Sequence, residues 1–328
     1  MTVKDVALKA GVSPITVSRA IQRPELVSDA TREHVLAVVR AMGYVPNLMA
    51  GALATSKSRL VAIVLPTIAN SIYASVVQAI MDRLAEAGYH TLVGPSGYTP
   101  EHEEALLAAI LGRRPDGIVL TGTFHTQASR ERLASAGIPV VEAWDLSDDG
   151  LDMQVGFSHE QVGAAVAEHF FAKGYRRWAV VGVDDPRALR RCNAVIQRLD
   201  TLGAAAVTVQ TLPLPATWEV GRKGLANLLD NGEQPDFIFC SSDTVALGVL
   251  AEAATRGLNV PDDLAVLGFG DTLNGQFANP ALSTVSVNAT EMGLQVAEAL
   301  LRRFDGQKAE ASVDTGFAII ERASTGRS

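Results

Sequence analysis

Two spacings of apolar residues divide this chain. Up to about Tyr44 they recur at helical intervals and no strand-like run occurs. From Leu60 onward, short apolar runs alternate with amphipathic stretches. LVAIVLP, HTLVGPS, DGIVLTG, IPVVEAW, RWAVVGV, DFIFCSS and LAVLGFG read as strands, and segments such as 72–87 and 101–113 as the helices between them. Such alternation predicts parallel sheets covered on both faces by helices. About eleven strands are many for one open sheet, so the pattern predicts two Rossmann-like lobes. A ligand cleft between them, outside the carboxyl ends of the strands, follows from that architecture.

The first segment reads as short helices separated by tight turns. Thr2 can cap a first helix, with Asp5 completing a capping box. That helix ends at Ala10-Gly11, where glycine supplies the left-handed turn residue. Ser13 caps a second helix and Pro14 takes its first position, where a missing N–H is harmless. This helix runs to about Ile21, before Arg23-Pro24. A third begins after Ser28 and ends at Gly43, with Val35, Val38, Val39 and Met42 on one face. Two short helices joined by a glycine-containing turn suggest a helix-turn-helix.

Charge sharpens that reading. Residues 1–59 hold eight Lys/Arg against four Asp/Glu, a net +4, which leaves −12 on the rest of a chain whose total is −8. A small basic head on an acidic body suits DNA contact by the head alone, because phosphate attraction is local under salt screening. An apolar fraction of 48% over 328 residues allows two or three compact units. No apolar run is long enough for a membrane span, and MTVKDVALKAG lacks the layout of a secretory signal, so a cytoplasmic protein without a membrane partner is expected. Cys192 and Cys240 lack metal-ligand spacing, and neither a metal nor a cofactor is expected. GxxxxGK[ST], GxSxG and HExxH are absent, no GxGxxG follows the first strand, and His102-Glu103 lacks the second histidine of a zinc helix; no enzyme is expected.

The segment VKDVALKAGVSPITVSRAIQRPELVSDATREHVLAVVRAMGYVPN carries DVA, AGVS, TVSR and GYVPN in order. With Phe157-Ser158-His159-Glu160, the VPDD at 260–263 and the LGFGDT at 267–272, it resembles the LacI/GalR family of transcriptional regulators along the whole chain. The resemblance implies an all-α helix-turn-helix head at 1–45, a hinge or linker at 46–58, and a periplasmic-binding-protein-like α/β body at 59–328. The body's first lobe would comprise about 59–157 and 288–313, its second about 158–287 and 314–328. It implies a homodimeric repressor of double-stranded operator DNA, controlled by a small-molecule effector. The absence of a heptad tail after the last strand argues against a coiled-coil tetramer.

The family pattern places DNA contacts at Thr2, Ser13, Pro14, Ile15, Thr16, Ser18 and Arg19, and at Asn47, Ala50 and Leu53 of a hinge helix that folds on DNA. Pro14 and Ile15, at the main base-reading positions, are apolar and would read a thymine methyl or local shape. Leu53 would wedge into the minor groove. Leu48 replaces the usual arginine, and Gly51 lowers helix stability by ~1 kcal/mol relative to alanine. The pattern places effector contacts at Asn70, Tyr73, His125, Glu142, Asp145, Arg190, Ser242 and Asp271. Gly270, Ser242 and Asn193 depart from the common acidic, asparagine and glycine positions. Fewer carboxylates suit an anionic ligand, and His125-Thr126 with Glu142 resemble the gluconate-operon repressors of the family. A sugar acid such as gluconate, or its phospho or keto derivative, is therefore the expected inducer. Alternatives are a neutral-sugar or nucleobase effector, or, in another class, a solute-binding protein or an enzyme of sugar-acid metabolism.

Overall fold

The computed structural model describes residues 1–44 and 57–326, and the chain divides into two compact units, Met1–Ser58 and Arg59–Ser328. In the first, helices α1 (Val3–Ala10), α2 (Pro14–Gln22) and α3 (Asp29–Met42) form the head, with a 3-10 turn at Pro24–Leu26. The Asp5 carboxylate accepts hydrogen bonds from Thr2 N (2.7 Å) and Thr2 Oγ1 (3.0 Å). Gly11, at φ +66°, turns the chain from α1 toward α2, and the Ser13 hydroxyl accepts from Thr16 N to start α2. Val6, Ala7, Ala10, Val17, Ala20 and Val35 form the buried core. The expected hinge positions Asn47, Ala50 and Leu53 lie outside the described residues.

The second unit holds two six-stranded sheets. The first lobe is built from β1 (Leu60–Leu65), α4 (Ser71–Glu86), β2 (His90–Pro95), α5 (Pro100–Leu111), β3 (Gly117–Thr121), α6 (Gln127–Ala136), β4 (Val140–Ala143) and β5 (Met153–Gly156). The second contains α7 (His159–Ala172), β6 (Trp178–Val183), α8 (Pro186–Thr201), β7 (Thr208–Leu212), α9 (Trp218–Asp230), β8 (Phe237–Cys240), α10 (Asp243–Thr255), β9 (Ala265–Phe269), α11 (Leu273–Gln276) and β10 (Ser283–Ser286). The chain then returns to the first lobe for α12 (Ala289–Phe304) and β11 (Ser312–Asp314), and crosses once more for β12 (Ala318–Ile320).

Sheet orders are β11-β5-β4-β3-β1-β2 and β12-β10-β9-β8-β6-β7. Pairing is parallel, with Ile63 opposite Val119 and Ile238 opposite Val266, except that β12 runs antiparallel to β10. Every residue of β6 and β9 is buried, as expected for parallel strands covered on both faces. The all-α head and the two-lobed α/β body are the fold class that the apolar spacing predicts. No helix of the described residues is long and apolar enough to cross a membrane.

Candidate functional site

The head offers its outward face because the opposite face of α2 is committed to the core. Val17 and Ala20 are buried while Ser13, Pro14, Ile15 and Arg19 are exposed and Thr16 and Ser18 half-buried. Ile15 is 63% exposed, so it takes no part in the head's core. The Ser13 hydroxyl shares a 2.9 Å hydrogen bond with Thr16 Oγ1, and exposed Thr2 is tied to Asp5. Arg19 has no ion-pair partner among the described residues. An exposed helix start presenting hydroxyls, an aliphatic group and one cation has the chemistry to meet phosphates and a major-groove edge.

In the body, a small cavity of about 50 Å³ lies between the lobes. Asn70, Tyr73 and Trp144 line it from the first lobe, and His159, Asp185, Arg187, Arg191, Ser241, Ser242 and Asp243 from the second. All follow the carboxyl ends of strands or lie in the first two turns of the helices after them, the position the fold dictates. Asp185 caps α8, accepting from Arg187 N and Ala188 N, and Pro186 fits the first position. Arg187 and Arg191 are one helical turn apart and therefore share a face.

Those two arginines differ in how their charge is met. Arg187 donates from Nη2 (2.9 Å) and Nε (3.3 Å) to the Asp185 carboxylate, and its Nη1 reaches Thr121 O across the cleft at 3.4 Å. Arg191, 5% exposed, has no carboxylate partner among the described residues. Its Nη1 donates to His159 Nδ1 (3.0 Å) and Arg187 O (3.3 Å), its Nη2 to Ser241 O (2.8 Å), and its guanidinium carbon sits 3.7 Å from the Phe269 ring centroid. A buried cation is costly unless compensated. Neutral acceptors and a ring face supply part of that compensation here, while the Asp243 carboxylate, which lines the same cavity, is held by Thr272 and Thr284. Burial, then the Arg191 charge, hold the His159 imidazole well below its usual titration range. Trp144 closes the site with φ +78°, a strained value for a bulky residue, held by edge contacts to Tyr73 (5.2 Å) and Phe157 (6.2 Å).

Three of the expected effector residues, Asn70, Tyr73 and Ser242, line this cavity. Asn70 and Ser242 also cap α4 and α10. The other five lie elsewhere. Arg190, on the neighbouring face of α8, binds both Asp145 oxygens through Nη1 (2.7 Å each) and Glu160 through Nε and Nη2 (2.5 and 2.9 Å). Asp145 belongs to the first lobe, so this pair ties the lobes together. His125 forms a buried cluster with Glu103, 2.6 Å from its Nδ1, and Glu142, 3.3 Å from its Nε2. Asp271, at φ +53°, pairs with Arg322 (2.6 Å) and lines a separate groove of about 850 Å³. The sequence reading missed Arg187, Arg191, His159 and Ser241. The one available signal was the Arg187/Arg191 spacing beside the apolar face Ala188, Cys192, Val195 and Leu199 of α8. The described residues contain no His/Cys/Asp/Glu group suited to a metal ion.

The family described as Bacterial regulatory proteins, lacI family, matches residues 2–47, and the Periplasmic binding protein-like domain matches 167–325. The chain is 36% identical to the HTH-type transcriptional regulator GntR of Pseudomonas aeruginosa, with 99% of this chain and 95% of that protein covered. The structure of a LacI family transcriptional regulator from Silicibacter pomeroyi superposes with a TM-score of 0.93 at 32% identity, covering 100% of both chains. The lac repressor dimer bound to operator and the anti-inducer ONPF superposes with a TM-score of 0.85 at 25% identity over 99% of each chain.

Proposed function

The chain belongs to the lacI family of bacterial regulatory proteins, and we propose that it is a DNA-binding repressor released from its operator by a sugar acid held between the lobes of its body. The observation that carries the effector class is the buried, carboxylate-free guanidinium of Arg191 at the cavity. It complements an anion, whereas a neutral sugar would leave that charge unmet. Resemblance to GntR-named relatives supports the same choice, with gluconate as the first candidate.

In this reading Ser13, Pro14, Ile15, Thr16, Ser18 and Arg19 meet the operator, with Thr2, Asn47, Ala50 and Leu53 as further contacts. Asn70, Tyr73 and Ser242 face the effector, and Arg190 with Asp145 ties the lobes together around it. His125, Glu142 and Asp271 support the surrounding loops. The protein acts in the cytoplasm, where its DNA lies, as a homodimer that spans two half-sites of a near-palindromic operator, and it performs no catalysis. A pair of states linked by lobe movement couples the sites, so operator DNA weakens effector binding by the same factor that effector weakens DNA binding.

An operator-release titration tests the reading. The full-length protein is bound to its own upstream DNA at fixed salt and challenged with gluconate, 6-phosphogluconate, 2-ketogluconate and neutral sugars. Release by a sugar acid alone is expected. Release by a neutral sugar, or by none of the acids, refutes the effector assignment, and a lack of DNA binding refutes the repressor.

A further inference from the structure

Three buried polar atoms in the residues around the cavity have no hydrogen-bond partner among the described residues: Arg191 Nε, His159 Nε2 and Ser241 Oγ. His159 and Ser241 are each 1% exposed. Buried polar atoms are ordinarily paired, because leaving one unmade costs its full desolvation. Three together in one cavity lining mark a place built for something else.

Their hydrogen-bond character is settled by chemistry. A guanidinium only donates, so Arg191 Nη1 makes His159 Nδ1 an acceptor. A neutral imidazole with an accepting Nδ1 carries its proton on Nε2. The unmet His159 atom is therefore an N–H donor. Arg191 Nε is also an N–H donor, and the Ser241 hydroxyl can donate. The three orphans thus form a donor set beside a guanidinium that no carboxylate among the described residues contacts. The other cations near the cleft are already matched: Arg187 by Asp185, and Arg190 by Asp145 and Glu160.

We propose that this triad is a seat for one carboxylate, with Arg191 Nε, His159 Nε2–H and Ser241 Oγ–H donating to its two oxygens, and that it selects singly charged acids over both neutral sugars and phosphorylated acids. The inference rests on the effector reading above and deepens it, adding His159 and Ser241 as specificity-determining residues. A carboxylate supplies the direct anionic contact that the Arg191 guanidinium lacks. A phosphate dianion elsewhere on the ligand finds no second free cation in the cavity lining, and an uncharged amide loses the charge-assisted character of the bonds.

The test uses the full-length protein with three defined ligands: sodium gluconate, the neutral D-gluconamide and 6-phosphogluconate. Calorimetry is expected to show gluconamide and 6-phosphogluconate each binding about 10- to 100-fold more weakly than gluconate, and Ser241→Ala losing about tenfold for gluconate while retaining the wild-type melting temperature. Arg191→Lys, which keeps the charge but not the planar donor fork, is expected to lose at least as much. A second readout is independent of the sugar. Sodium acetate at high millimolar concentration is expected to move the His159 Nε2–H proton resonance in the wild type and not in Ser241→Ala.

A shift with acetate, but no DNA release by any sugar acid, keeps the carboxylate seat and discards the effector assignment. DNA release by gluconate with an unmoved His159 resonance and an unimpaired Ser241→Ala overturns the seat and keeps the repressor. Equal binding of gluconate and gluconamide also overturns it, as does an unmoved resonance with both acetate and gluconate.

Discussion

Two buried histidines in the body carry opposite protonation states. Burial alone would lower the pKa of His125, but the hydrogen bond with Glu103 and the charges of Glu103 and Glu142 outweigh it and raise the value from 6.5 to about 9. His125 is therefore an imidazolium, and its contribution to stability is complete below 6.5 and is lost as the pH rises through about 9. His159 is the reverse case: held well below 6.5, it contributes above 6.5, and that contribution is lost as the pH falls. Stability from this pair peaks between the two windows. His125→Gln should flatten the alkaline limb, whose wild-type fall amounts to about 3 kcal/mol. Thermal melting of both proteins across the range checks this, and an unchanged alkaline limb in the variant would refute the imidazolium assignment.

At the scale of elements, the cavity depends on how closely α7 approaches α8. A Cβ on Gly163 would lie 2.4 Å from Arg191 O and 2.6 Å from Ala194 Cβ, so only glycine permits the contact. Gly163→Ala pushes the helices apart and draws His159, at the start of α7, away from Arg191. We expect a stability loss of about 1–3 kcal/mol by denaturant unfolding, together with weaker gluconate binding than that loss alone explains. Retained affinity would show that the helix spacing does not set the site.

The same two helices show what could and could not be read from the chain. The α7 start at Ser158 and the α8 start at Asp185-Pro186 carry plain capping chemistry. Which arginine of α8 enters the cleft was not legible from motif matching. Each residue turns the helix by about 100°, so Arg190 and Arg191 point to different neighbours although adjacent in sequence. Asp271 is another such case, since its partner Arg322 lies 51 residues away. Strands β10 to β12, three or four residues each, are too short to show alternation, and β10 and β11 are rich in Ser, Thr and Asp, whereas β1, β6 and β9 announce themselves as unbroken apolar runs.

For the whole molecule, the least satisfied apolar surface of the body is on and just after α11. Leu273 is 69% exposed and Phe277 84% exposed. An exposed phenylalanine beside an exposed leucine suits burial against a second copy of the chain. We expect Phe277→Asp to shift the protein toward monomer in sedimentation and to weaken operator binding at least tenfold, because a monomer grips one half-site. Unchanged sedimentation would place the dimer contact elsewhere.

The three crossings between lobes bear on how the protein is made. The first lobe lacks α12 and β11, and the second lacks β12, until residues 289–320 have left the ribosome. The body therefore cannot fold as two successive units during synthesis. The head, whose described core is drawn from residues 3–44, completes that packing much earlier. Each nascent chain thus carries a packed head ahead of a body still waiting for its last strands, and during that interval no complete cleft exists for a small molecule to close.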